Sequence, residues 1–363
     1  CYNTLSAWEA AFGGFGWDGC TTGDLTCLGK TAVAKIDGTW NSPDTTATTI
    51  NGWTTDASNY IHIYTTESAR HPGKWDETKY RLEKTFSSGA ILFALSEEYI
   101  KVDGLQIKIS NSAATNTYAV MSYVDNVNSA LYLSNNIIKA GTIDSGTTVL
   151  YAIDGLYSAS TNYYLWNNII YDFIVGSYGT GIRGATGTGY TKKYYTYNNI
   201  ITNCYYGFFL ADTRSMVFAK NNLVYNNTDN YSGTLDDYST NNLSGPSSDA
   251  QCPSTNSRNG VQVHFVDAAN DDFHLSPADS GARNYGLDLS NDASISFAFD
   301  IDRQPRKGTW DIGADEEYHS PELRNVSASQ NSDGTVTISY EVRDPDTDQE
   351  GVANPGNITP TFR

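Results

Sequence analysis

The chain has 363 residues, with 23 basic against 41 acidic side chains and a formal charge of −18. That excess of negative charge makes nucleic acid and anionic membrane surfaces poor partners, and no apolar run approaches the ~20 residues of a spanning helix. Only 18% of residues are charged while 13% are aromatic; a disordered chain would be poorer in rings, so the composition points to an exported β-protein with length for one large body and a smaller piece.

The chain starts at Cys1 rather than Met, as a mature or trimmed form would. Cys1 is a candidate lipidation site, although Tyr2 onward enters folded-looking sequence with no tether. Five cysteines are too few for a disulfide scaffold. A local bridge is expected between Cys20 and Cys27, and Cys204 and Cys252 read as buried thiols. The strongest helical stretch is LSAWEAAF, residues 5–12, with Thr4 as N-cap and Gly13-Gly14 as the stop. A stacked repeat needs its open first layer covered, and this helix is expected to cover it.

Strands are expected over 31–37, 48–53 and 60–65, with Trp53, Trp75 and Tyr80 in loops beside the opening coils. Arg70, His71, Lys74, Asp76 and Arg81 form a charged group ahead of the continuous apolar strand at 90–95. The group reads as an insertion loop, with a functional site as the alternative.

From residue 99 to 244 one phrase returns: Asn135-Asn136-Ile137-Ile138, Asn167-Asn168-Ile169-Ile170, Asn198-Asn199-Ile200-Ile201, Asn221-Asn222-Leu223-Val224 and the weaker Asn241-Asn242-Leu243-Ser244. Their first members lie 32, 31, 23 and 20 residues apart. Val102-Asp103-Gly104-Leu105 looks like a degenerate copy one period earlier, its register uncertain by one residue. Such periods mark stacked repeats. Tyr, Thr, Ile and Val crowd each pair, with no run of helix formers. Leu131, Leu133 and Leu165 alternate with outward-facing neighbours. Each period therefore holds at least two short strands, with the Asn pair at a bend because Asn tolerates left-handed backbone angles. Unequal spacing suits a coil with variable loops better than a propeller.

Two expectations follow. Amides at equivalent bends, ~4.8 Å apart, should form a hydrogen-bonded ladder, with ligand binding by the pairs as the alternative. The aliphatic doublet after each pair should point inward.

Regularity fades after Asn242, and 244–259 is a loop rich in Ser, Pro and Asn. Then come Asp272-Phe273-His274-Leu275-Ser276-Pro277, Asp300-Ile301-Asp302-Arg303-Gln304-Pro305-Arg306 and Asp311-Ile312-Gly313-Ala314-Asp315-Glu316. These resemble the closing segment of secreted bacterial surface proteins of the pectin-lyase-like class, which are right-handed parallel β-helices. The resemblance is specific over 272–318 and generic over 99–244; that class usually has Gly where Arg303 stands and an aromatic where Asp315 stands. It implies fold, handedness and secretion, in a class that holds both enzymes and inert surface proteins. Arg306 is placed to pair with Asp300 or Asp302, which favours a structural knot over chemistry.

The tail holds two strands, 322–330 and 335–342, joined at Asn331-Ser332-Asp333-Gly334, a strong hairpin signal. It resembles the opening hairpin of an immunoglobulin-like or fibronectin-like module. Such a sandwich needs ~100 residues, more than remain, and a lone hairpin is marginal. Either the chain is a fragment or the hairpin docks on its own solenoid, or it adds to a neighbour's sheet and builds a head-to-tail fibre. Asp344, Asp346, Asp348 and Glu350 alternate hard oxygen ligands as a calcium loop would, although Pro345 and a missing Gly depart from the EF-hand pattern.

A β-helix lyase needs a Lys or Arg base and cations against a uronate. The coil offers Arg183, Lys192, Lys193, Arg214 and Lys220, of which Arg183 and the Lys192-Lys193 pair are the candidates to share a groove. A hydrolase needs paired carboxylates, and Asp125, Asp144, Asp154, Asp172 and Asp212 include no motif that singles out a pair. His62, His71, His264, His274 and His319 show no metal-ligand spacing, the cysteines form no CxxC, and no phosphate-binding glycine loop is present. Asn226, Asn230, Asn242, Asn325 and Asn357 stand in N-x-S/T sequons.

The sequence thus predicts an all-β chain: a cap helix and first strands over 1–47, a right-handed parallel β-helix (solenoid) with its closing segment over 48–318, and a C-terminal β-hairpin tail over 319–363. The expected role is that of a non-catalytic extracellular or cell-surface structural protein that polymerises through its tail. Its partners are sister subunits, or surface carbohydrate met by a tyrosine-rich flank. The alternatives are a polysaccharide lyase or glycoside hydrolase working through Arg183, Lys192, Lys193 and Asp154, and a carbohydrate-binding adhesin. No catalytic residue and no cofactor are assigned, with calcium at Asp344, Asp346, Asp348 and Glu350 as the candidate ion.

Overall fold

The computed structural model describes residues 1–13, 19–21, 23–124, 129–155, 161–184, 192–210, 215–317 and 322–343. Its body is a parallel β-helix. The first winding holds β1 (Ala32–Ile36) and β2 (Thr48–Ile50), and the second holds β3 (Ile61–Thr65), β4 (Arg81–Phe86) and β5 (Ala90–Leu95). The third has β6 (Tyr99–Asp103), β7 (Gln106–Asn111) and β8 (Thr117–Ser122), and the fourth β9 (Ser129–Ser134), β10 (Ile137–Ile143) and β11 (Leu150–Asp154). The fifth has β12 (Thr161–Trp166), β13 (Ile169–Tyr171) and β14 (Thr180–Gly184), and the sixth β15 (Lys192–Tyr197), β16 (Ile200–Thr202) and β17 (Tyr206–Leu210). The seventh has β18 (Ser215–Lys220), β19 (Leu223–Tyr225) and β20 (Asp229–Ser232), after which β21 (Leu243–Gly245) and β22 (Arg258–Asn259) continue the coil on the second sheet.

Each strand pairs in parallel with its counterpart one winding on, giving a first sheet from β1 to β18, a second from β4 to β22 and a third from β2 to β20. A full winding therefore has three sides, one more than the minimum read from the sequence. Strand alternation drives one row of side chains inward. In the first sheet the register places Leu131 against Tyr163, Tyr163 against Tyr194 and Tyr194 against Val217. The inner rings of Tyr163 and Tyr194 stack at 4.5 Å and 6°. Like packs on like because the same position recurs at every level.

The Asn pair supplies the bend between the first and second sheets. The first Asn of each pair has positive φ: Asn135 53°, Asn167 52°, Asn198 50°, Asn221 55° and Asn241 54°. Gly104, at φ 77°, occupies the equivalent place in the third winding, which fixes the register of the degenerate copy. The second Asn turns inward and builds the ladder. Asn136, Asn168, Asn199 and Asn222 each donate from Nδ2 to Oδ1 of the next member, ending at Asn242, over 2.9–3.0 Å. Each also donates back to a carbonyl of the preceding winding, as Asn199 does to Leu165 O at 2.9 Å. Five fully buried amides are thereby satisfied without water. The ladder holds Asn242 at 0% exposure and Asn230 is 6% exposed, so neither of those sequons presents a free side chain.

The aliphatic doublet departs from expectation. Ile138, Ile170, Ile201 and Val224 join the solenoid core, but Ile137, Ile169, Ile200 and Leu223 face out from the second sheet. They are buried because the closing segment folds back over them: Phe273, Leu275, Ile301 and Ile312 form one cluster with them. Neighbouring residues of a strand must face opposite ways, so a doublet of Ile in this position requires a cover on each side. The segment opens with an antiparallel pair, β23 (Phe265–Asp267) and β24 (Asp272–Leu275). It reaches back to the early windings, where Lys74 Nζ meets Asp272 Oδ2 at 2.8 Å and Lys139 Nζ meets Asp271 Oδ2 at 2.5 Å. Trp75 packs on this cluster rather than beside the opening coils.

At the other end, α1 (Leu5–Phe12) is capped by Thr4 Oγ1, which accepts from Ala7 N at 3.0 Å. Leu5 N donates to Asp44 Oδ2 at 2.8 Å and Trp8 stacks on Trp53 at 5.9 Å, so the helix covers the first winding. The Cys20–Cys27 disulfide is formed beside α2 (Leu25–Leu28), and Cys204 is a buried thiol.

The tail is an antiparallel hairpin of β25 (Glu322–Gln330) and β26 (Val336–Arg343), closed where Asn331 N donates to Thr335 O at 2.8 Å. Val326, Val336 and Ile338 are 60%, 58% and 41% exposed. Asp344, Asp346, Asp348 and Glu350 lie outside the described residues, as do Asp125, Asp212, Arg214, His319 and Asn357. Among the described residues no helix is long and apolar enough to cross a membrane.

Candidate functional site

The residues that a lyase or hydrolase would use are gathered only in part. Arg183 on β14 lies over Tyr151 and reaches Asp154 on β11, with Nη1 3.4 Å from Oδ2, between adjacent windings of the third sheet. Lys192 at the start of β15 is 1% exposed and donates to Gly155 O at 2.8 Å. Asp154 holds Arg183, and the next residue, Gly155, holds Lys192, where the third sheet passes into the first; residues 156–160 and 185–191 lie outside the described residues. Lys193 is exposed, on the outer face of the first sheet. Asp144 caps a turn by accepting from Gly146 N at 2.8 Å, and Lys220 pairs with Asp292 at 2.5 Å. Asp172, at φ 66°, accepts from Asn203 Nδ2 at 3.3 Å, and Asn226 donates to Asn203 Oδ1 at 2.7 Å. These three form a second, shorter ladder at the next bend. Burial is the largest influence on Asp172 and holds its carboxyl above the ordinary range.

The outer face of the first sheet carries a column of rings. Tyr132, Tyr164, Tyr195 and Phe218 stack at 4.6, 5.1 and 4.9 Å with interplanar angles of 12° or less. Ring faces are turned on one another, so the column offers solvent its edges and hydroxyls.

Where this face meets the closing segment there is a groove of about 350 Å³. Trp166, Phe297 and Phe299 supply its apolar wall, Arg70 and Arg303 its cations, Asp103 and Asp300 its carboxylates, and Asn135 and Asn167 its amides. Phe299 is 55% exposed. Arg303 sits at φ 71°, a left-handed position that glycine would occupy without strain; a side chain here costs about 1–2 kcal/mol. Such strain in a groove marks a place to look for function.

Beside the groove, the charged group lies in the loop between β3 and β4 and at the start of β4, with Arg70, His71 and Arg81 buried. Arg70 is buried and binds Asp103 through both oxygens, at 2.6 and 3.2 Å. His71 donates from Nε2 to Asn135 O at 2.8 Å and accepts at Nδ1 from Gly73 N at 3.3 Å. Burial first, and then the Arg70 charge, push His71 down to about 3, so its ring is neutral.

Arg306 does not pair with Asp300 or Asp302. Its guanidinium donates to Glu316 Oε2 at 3.0 Å, to Gly313 O and Ala314 O at 2.9 and 2.8 Å, and to Asn167 Oδ1 at 3.1 Å. The tight turn at 300–304 holds Asp300 on its own backbone instead, where it accepts from Gln304 N at 2.7 Å. The guanidinium ties the closing segment to the outer Asn row.

Close by, His274, Asp302 and Asp315 converge from three separate motifs. Burial works to lower the pKa of His274, but Asp302, Asp315 and Asp272 outweigh it and hold it up at about 9. Spacing along the chain has no means of revealing a cluster drawn from positions this far apart.

No protein-family model, no curated protein and no solved structure matches this chain.

Proposed function

We propose that the chain is a non-catalytic scaffold displayed outside the cell, a parallel β-helix of the pectin-lyase-like class put to structural use. The observation that carries this reading is the Asn ladder together with the fate of the charged side chains. Arg183 and Asp154 neutralise one another, Lys192 is buried against a backbone carbonyl, and the amides that recur most often are spent on holding windings together. The Cys20–Cys27 disulfide favours an oxidising compartment. The tail supports self-association, since its apolar residues are exposed and the other end of the solenoid has an apolar cavity of about 310 Å³ walled by Trp8, Phe12, Val33 and Trp53. Turnover assays on uronate and neutral polysaccharides should give no product with purified protein. Sedimentation should give concentration-dependent assembly that is lost when 322–363 are removed. Release of unsaturated or reducing ends would refute the scaffold.

A second reading, carbohydrate binding, is favoured by the groove rather than by the tyrosine column. Sugar rings pack on free aromatic faces, and the faces of Tyr132, Tyr164 and Tyr195 are occupied. Trp166 and Phe299 present apolar surface beside Arg303 and the carboxylates of Asp103 and Asp300, a mixed apolar and polar lining that suits a saccharide. Glycan-array binding that disappears in Trp166→Ala would support it, and binding unaffected by that change would place the ligand elsewhere.

A further inference from the structure

The three motifs of the closing segment each deliver one side chain to a single point. His274 comes from 272–277, Asp302 from 300–306 and Asp315 from 311–316, and one ligand atom from each lies within 4.8 Å of the others. We propose that His274, Asp302 and Asp315 bind one divalent transition-metal ion, with zinc the best match, and that the ion locks the returning segment onto the solenoid.

Four observations support the assignment. The distance from His274 Nε2 to Asp302 Oδ2 is 3.6 Å, and two ligands ~2.0–2.1 Å from a tetrahedral zinc stand ~3.4 Å apart. The ring is already oriented to receive an ion, because Nδ1 faces Asp272 Oδ1 at 2.5 Å, and Asp272 is itself held by Lys74 through its other oxygen at 2.8 Å. A carboxylate behind the imidazole that fixes the tautomer and leaves Nε2 for the ion is the usual second layer of a histidine metal site. Asp302 Oδ1 is buried and, like several other buried side-chain atoms, has no hydrogen-bond partner among the described residues, while Oδ2 accepts from Gln304 Nε2 at 3.0 Å. Finally, Gly73, at φ 71°, keeps the space beside Nε2 clear, since a Cβ there would come within 2.4 Å of that atom.

The donor set decides the class of ion. One imidazole and two carboxylates suit zinc and its divalent neighbours, whereas calcium prefers oxygen alone and more ligands. The role is structural. Asp315 also accepts from Leu275 N at 2.7 Å, so the ion would join β24 to the 311–316 segment, which one hydrogen bond already links.

The test uses the full chain, stripped with chelator and titrated with zinc alone by calorimetry, with the melting temperature followed in parallel. One ion per chain and a rise of several degrees are expected in the wild type. His274→Gln and Asp315→Asn should each weaken binding by at least 100-fold. Cobalt(II) added to the wild type gives a readout that does not depend on any variant folding, and should produce visible absorption that zinc abolishes. Absence of zinc and cobalt uptake by the wild type overturns the proposal, as does uptake of equal affinity in folded variants. If only a proton sits between Asp272, His274 and Asp302, chelator and zinc will leave the melting temperature unchanged, and the proposal fails.

Discussion

Asn199 Oδ1 accepts from both the backbone N and the side-chain Nδ2 of Asn168, at 3.0 and 2.9 Å. One oxygen thus satisfies two buried donors of the winding before it, while Asn199 Nδ2 serves Leu165 O and Asn222 Oδ1 at 2.9 Å each. Asn199→Leu keeps the volume but leaves those groups without partners. The expected loss is about 3 kcal/mol or more, since each unmet buried group costs about 1–3 kcal/mol. A urea midpoint equal to that of the wild type would count against the ladder as the element that binds the windings.

Arg306→Met leaves Glu316 buried without its cation and strips Gly313 O and Ala314 O of a donor. Breaking a buried pair in this way costs about 3–5 kcal/mol. Adding Glu316→Gln should recover part of the loss, because the orphaned charge goes with it. The double-mutant cycle reads the coupling, and additive effects would mean that the pair does not act as one.

Arg303→Gly relieves a left-handed backbone position and loosens the unfolded chain, so the net gain should be small, about 0.5–1 kcal/mol. Under the carbohydrate reading the same change weakens binding of the glycan. Thermal unfolding and glycan titration on one preparation test both.

Two buried groups should give slopes of opposite sign against pH. His71 is held down to about 3 by burial, so the unfolded chain takes up a proton that the folded one refuses. Its contribution to stability is therefore lost as pH falls from about 6.5 toward 3, on the order of 1 kcal/mol per unit. His71→Gln should flatten that limb. Burial raises Glu97 to about 7, with Glu98 and Glu9 adding to the effect of desolvation while Trp53 N donates to it at 3.0 Å. Stability from that group is complete below about 4.5 and lost as pH rises through 7, so Glu97→Gln should stabilise the protein at pH 8 and do little at pH 4. Denaturation curves at about pH 4, 6 and 8 separate the two.

The windings were legible because a three-sided coil must turn at the same place each time, and Asn135, Asn167, Asn198 and Asn221 mark that place with a residue that tolerates positive φ. Gly104 hid its winding by doing the same job with a different residue. The helix at 5–12 was legible from Thr4 and Gly13 alone. The outward face of Ile137 and Ile169 was not, because periodicity says that a position is apolar and not what covers it. Nor was the partner of Arg306, since the 300–304 turn claims Asp300 for its own backbone. His274, Asp302 and Asp315 lacked any spacing signal because the closing segment brings them together only after it has doubled back.

The ion pair of Lys74 with Asp272 spans 198 residues of chain. Windings can be added one by one as the polypeptide emerges, each templated by its predecessor. The strip formed by Ile137, Ile169, Ile200 and Leu223 nevertheless stays wet until the last fifth of the solenoid domain has been made. During that interval the nascent molecule carries a greasy ridge beside its own ladder. Chains cut before residue 260 should therefore precipitate, whereas chains cut at 320 should stay in solution, which makes the returning segment an internal chaperone as much as a lid.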